Sequence, residues 1–86
     1  MVRLRYSTTS SGDLTSNLIL LRSNIVYVFV YTKEKRFEIR SFDSNEIMFT
    51  SKERDVSICK RKARQYLIKN GAIFKDEIRR KLYNEQ

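Results

Sequence analysis

Ile25-Val26-Tyr27-Val28-Phe29-Val30-Tyr31 is built wholly of β-branched and aromatic residues. A run of this kind, apolar on both faces, reads as a β-strand central to its sheet. The segments on either side take their assignment from it. Leu14 to Leu21 reads as the preceding strand, with Leu18, Ile19, Leu20 and Leu21 apolar on both sides, and Arg22-Ser23-Asn24 makes the short connection between the two. Earlier still, Val2, Leu4 and Tyr6 alternate with Arg3, Arg5 and Ser7, the period-two signature of a half-buried strand. The polar run from Thr8 to Asp13 is a loop.

After Tyr31 the chain turns at Lys33-Glu34-Lys35. Arg36 to Phe42 then alternates cleanly, with Phe37 and Ile39 on one face and Arg36, Glu38 and Arg40 on the other. Asp43-Ser44-Asn45-Glu46 is rich in turn formers, and Ile47-Met48-Phe49 gives a short fifth strand.

From residue 51 the period changes to that of a helix. Thr50 and Glu53 match a capping box, and Val56, Cys59, Ala63, Tyr66, Leu67 and Asn70 share one face. Gly71 suits the helix C-terminus. A shorter helix is expected from about Lys75 to Tyr83, with Ile78 and Leu82 inward, acids Asp76 and Glu77 early and Arg79, Arg80 and Lys81 late. The expected architecture is therefore α+β: one domain over residues 1–86, with an antiparallel meander of four to five strands in residues 1–50. A basic amphipathic helix and a short second helix follow in residues 51–86.

Composition narrows the function. With no His and one Cys in 86 residues, the commonest general base and the commonest zinc ligands are missing, so neither a catalytic nor a metal site is expected and no cofactor is implied. Asp76 and Glu77 are adjacent and point apart on a helix. Glu53 and Asp55 surround a helix start, and Asp43 and Glu46 sit in a turn, so no carboxylate pair is set up for acid–base work. Gly12 and Gly71 lie too far apart for a phosphate loop. Cys59, on the apolar face of the helix, reads as a small core residue. The apolar runs fall far short of the ~20 residues a membrane span needs. No signal-like apolar segment follows Met1-Val2-Arg3, so a cytoplasmic location is expected.

Charge is the positive signal. The chain carries +8, and residues 51–86 hold eleven Lys/Arg against five acids. Lys60-Arg61-Lys62-Ala63-Arg64 packs four cations into five residues, and no acid lies between Val56 and Gly71 to balance them. A salt-bridged helix face would alternate signs; this one does not. Concentrated positive charge on a small domain is the footprint of a polyanion binder. Lys60, Arg61, Lys62, Arg64 and Lys69 are the expected phosphate contacts.

The central strand offers a second surface. Tyr27, Phe29 and Tyr31 share one face, and Val26, Val28 and Val30 the other. If helices cover the valines, the aromatics stand outward beside Arg36 and Arg40 as a stacking platform for unpaired bases. Three aromatics on one strand also suit a core or an oligomer interface. The order of strands followed by a helix is similar to that of single-strand-binding transcription coactivators, the PUR repeat and the Whirly proteins. This is a resemblance of element order alone, and it implies nucleic-acid recognition from a sheet, often by dimers.

The expected function is thus non-enzymatic binding of DNA or RNA, through the basic helix and through Arg36, Arg40, Tyr27 and Tyr31 of the sheet. The alternative is a small adaptor or inhibitor that docks its cations on an acidic surface of an enzyme such as a polymerase or nuclease. Short length and high Lys, Ile and Asn content suit a viral or mobile-element regulator of that kind. A homodimer paired through sheet edges or aromatic faces is compatible with either.

Overall fold

A computed structural model describes residues 4–74 and gives an α+β fold. In chain order the elements are β1 (Tyr6–Thr8), β2 (Leu14–Ser16), β3 (Ile19–Leu21), β4 (Asn24–Tyr31), β5 (Arg36–Ser41), β6 (Ile47–Lys52), α1 (Val56–Lys69) and β7 (Ile73–Phe74). All strand pairings are antiparallel. β4 is central, flanked by β2 and β3 on one side and β5 on the other, and β6 lies outside β5. β1 pairs with β2 and β7 with β3, so these two short strands together form the opposite edge.

The expected single strand from Leu14 to Leu21 is broken into β2 and β3. Both pair with β4, but the register moves by one residue, from Thr15 opposite Phe29 to Ile19 opposite Val26. Ser16, Asn17 and Leu18 therefore face only Tyr27 and Val28, which makes a bulge. Polar side chains complete the hydrogen bonding there. The Val28 N–H donates to Ser16 Oγ at 2.8 Å, and the Arg5 N–H donates to Asn17 Oδ1 at 2.8 Å.

Strand alternation divides the sheet into two unlike faces. Val26, Val28 and Val30 of β4 are fully buried together with Phe37 and Ile39 of β5 and Ile19 of β3. Cys59, Ala63 and Leu67 of α1 close the same core. The helix thus covers the valine face.

The capping box at Thr50 and Glu53 does not form. Thr50, Ser51 and Lys52 pair instead with Glu38, Phe37 and Arg36, extending β6. The ladder bonds gained on β5 outweigh one turn of helix, and the start moves to Asp55, whose carboxylate accepts from the Ile58 N–H at 2.9 Å. The helix ends as its glycine predicts. Gly71 has φ +78°, its N–H donates to Ile68 O, and the Ala72 N–H donates to Leu67 O, the two bonds of a Schellman motif. Ile73 and Phe74 then return to the sheet as β7. The short helix expected over 75–83 lies outside the described residues.

Candidate nucleic-acid interface

The nine candidate residues fall on two opposite surfaces of the molecule. Lys60, Arg61, Lys62, Arg64 and Lys69 belong to α1 on the valine side of the sheet, whereas Tyr27, Tyr31, Arg36 and Arg40 lie on the uncovered side. The expectation that they extend one another as a single interface is corrected by strand alternation: neighbours along β4 and β5 point to opposite faces. No rigid ligand lies on both at once.

On the helix, each residue advances about 100°. With Cys59, Ala63 and Leu67 buried, the cations straddle the outward ridge. Lys60 and Arg64 flank the side nearest β1, and Lys60 Nζ stands 5.2 Å over the Tyr6 ring. Lys62 and Lys69 flank the other side, around Tyr66, whose ring stacks on Phe49 of β6 at 4.4 Å and 11°. Arg61 stands between the two rows. Arg61, Lys62 and Lys69 are exposed, and Lys60 and Arg64 are half-buried. One apolar side chain interrupts the ridge, Ile68, which is 53% exposed.

Beneath this ridge the groups are chemically quiet. Burial pushes the Cys59 thiol above its ordinary range, and the negative charges of Glu53 and Asp55 add to that. Burial also pushes the Tyr6 hydroxyl well up, and it has no hydrogen-bond partner among the described residues. No group of three or more His, Cys, Asp or Glu able to hold a metal ion forms among the described residues, and none of their helices is long and apolar enough to cross a membrane.

The uncovered sheet face has a different character. Tyr27, Phe29 and Tyr31 stand opposite Arg40, Glu38 and Arg36 in register. Glu38 is only 4% exposed, although it points away from the core. It accepts from Arg36 Nη1 at 2.6 Å, Arg40 Nε at 2.8 Å and the Tyr31 hydroxyl at 2.9 Å. Burial alone raises its pKa, but the hydrogen bonds from Arg36, Arg40 and Tyr31 outweigh that and hold the carboxyl below its ordinary value. Both guanidinium groups are in turn held protonated chiefly by their hydrogen bonds to Glu38.

The remaining polar groups of this face are engaged too. Arg36 reaches Glu34 at 3.4 Å and lies 4.0 Å over the Tyr31 ring, Arg40 Nη1 donates to Asn45 O, and the Tyr27 hydroxyl donates to Asn45 Oδ1. Sequence reading placed Arg36, Glu38 and Arg40 on one face yet missed their closure into a cluster. The signal was present, since Arg-x-Glu-x-Arg on a strand puts a carboxylate between two guanidinium groups. Beside this cluster, Thr15, Ser16, Leu18, Tyr27, Phe29 and Phe42 line an open groove of about 370 Å³.

Comparison of the chain with protein-family models, with curated proteins and with solved structures gives no match.

Proposed function

We propose that this protein is a non-enzymatic nucleic-acid-binding module that grips the phosphate backbone with the outer ridge of α1. The observation that carries this reading is the run of cations from Lys60 to Lys69 on a helix with no acid between Val56 and Asn70. Arg61, Lys62 and Lys69 make the outermost contacts, with Lys60 and Arg64 below them. Charges spread over both flanks of a helix suit phosphates on either side of a groove better than a row of unpaired bases. The sheet arginines, tied to Glu38, have a structural part. Binding is therefore governed by charge, carries little sequence preference and does not require base stacking.

The test is a titration of labelled duplex and single-stranded oligonucleotides over a range of salt. The reading expects log K to fall linearly with log salt at a slope of about −3 to −4, the value for roughly four duplex phosphate contacts. A flat salt response rejects it.

One observation favours a second reading. Ile68 stands exposed among the cations, and an apolar anchor ringed by charge is the pattern of a protein-docking surface. Its partner would be an acidic protein surface with an apolar recess. Ile68→Ser separates the two: it weakens protein docking and leaves phosphate contacts intact.

A further inference from the structure

We propose that α1 seats in the major groove of B-form duplex DNA, with Gln65 and Ile68 on the groove floor and the cations of its two flanks on the two phosphate rims. This rests on the phosphate reading above and adds which polyanion, which groove and which side chains meet the bases.

The phosphate grip leaves two exposed side chains of α1 without a part. With Cys59, Ala63 and Leu67 buried against the sheet, steps of about 100° per residue set Arg61, Gln65 and Ile68 on the line farthest from it. All three are exposed. Arg61 is one of the phosphate contacts, but Gln65 and Ile68 carry no charge. Three residues apart, they are neighbours on the helix surface. They lie about 4.5 Å apart along its axis, close to the ~3.4 Å of one base-pair step. Lys60 and Arg64 occupy one flank of this line and Lys62 and Lys69 the other. An uncharged strip therefore runs between two basic ones.

Two basic strips separated by the width of a helix call for two phosphate rims at that separation. A helix with its side chains is about 10–12 Å across, and the major groove of B-DNA, about 12 Å wide, admits one. The minor groove, about 6 Å wide, does not. In A-form RNA the major groove is too deep and narrow for side chains to read. A single strand offers one line of phosphates and leaves a flank unmatched.

The strip between the flanks matches the floor of that groove. Ile68 meets the thymine C5-methyl, the apolar group exposed there, and the Gln65 amide suits the donor and acceptor that adenine presents at N6 and N7. Neither contact changes the charge balance. Affinity still comes from the flanks, and the floor adds a small preference for A·T steps.

Titrations of the full chain at one salt concentration compare three duplexes of one sequence: DNA, DNA with uracil in place of thymine, and RNA. Uracil removes only the methyl groups, and wild type should lose about two- to fourfold, the loss of one partly buried methyl contact. The RNA duplex should bind on the order of tenfold more weakly, because one flank loses its phosphates. Ile68→Ser should bind the thymine duplex as wild type binds the uracil one, lose nothing further on uracil and keep the wild-type salt slope. Gln65→Ala should narrow the gap between A·T-rich and G·C-rich duplexes at an unchanged slope. Equal affinity for all three duplexes with a steep salt slope overturns the groove assignment and leaves the phosphate grip standing. A uracil effect undiminished in Ile68→Ser overturns it as well. No salt-dependent binding to any duplex removes both readings.

Discussion

Arg40 donates its Nε to Glu38 Oε1 at 2.8 Å, which removes one of the two sheet arginines from the pool of free cations. Arg36, at 2.6 Å from the other carboxylate oxygen, is the second. Two arginines that sequence alone offers as phosphate ligands are thus tied to an acid of their own strand. Substituting both by Gln is expected to lower stability while leaving oligonucleotide affinity within about threefold of wild type at matched salt, the shift left by unpicking an already compensated cluster. Anisotropy and denaturant melts on the same preparation check the two halves.

Glu38 gives the pH dependence. Its carboxyl titrates below the ordinary value of 4.5, so in the folded state it holds its charge more firmly than in the unfolded chain. The contribution is fully present above the unfolded value and is lost as pH falls through the folded one. Glu38→Gln should cost about 2 kcal/mol near neutrality, the range for hydrogen bonds to a charged group. Its stability curve and that of wild type should converge as pH drops below 4.5. Urea midpoints across that range make the comparison.

Phe49 joins the β6 edge to the helix. Its ring lies on Tyr66 at 4.4 Å and meets Phe37 at 5.8 Å. Phe49→Ala should destabilise by about 2 kcal/mol, because the ring is packed on one side and open on the other. Phe49→Leu should recover about half of that loss. Thermal melts of the two variants read the difference.

The Tyr6 hydroxyl is buried without a hydrogen-bond partner among the described residues. Such a group carries a desolvation penalty and no compensating bond. Tyr6→Phe should therefore be neutral or stabilising by up to about 1 kcal/mol. A loss of stability would mean that the hydroxyl has a partner in the native chain.

Much of the fold could be read from local pattern, and the failures share a cause. Ile25 to Tyr31 can only be a central strand, and the valine and aromatic faces follow from period two; the structure buries the valines as that requires. Gly71 marked the helix end correctly because the Schellman geometry needs a positive φ there. Thr50 misled because its capping signal is local, whereas its pairing with Glu38 is a tertiary contact between residues twelve apart. The break at Ser16 to Leu18 is invisible in an apolar pattern, since the bulge is stabilised by a serine hydroxyl in place of a backbone carbonyl. The candidate site was half legible. Sequence found the cations of α1 but could not show that the sheet arginines face the other way and are already paired.

The most direct test of the central claim is the salt dependence of duplex binding by wild type and by Arg61→Ala/Lys62→Ala/Lys69→Ala. These three side chains are exposed, so stability should change by no more than about 0.5 kcal/mol. If α1 grips phosphates, affinity collapses in the triple variant and the salt slope becomes shallower by about 2 to 3. If the variant binds as wild type does, with the same slope, the cations of α1 are not the interface and the proposed function is wrong.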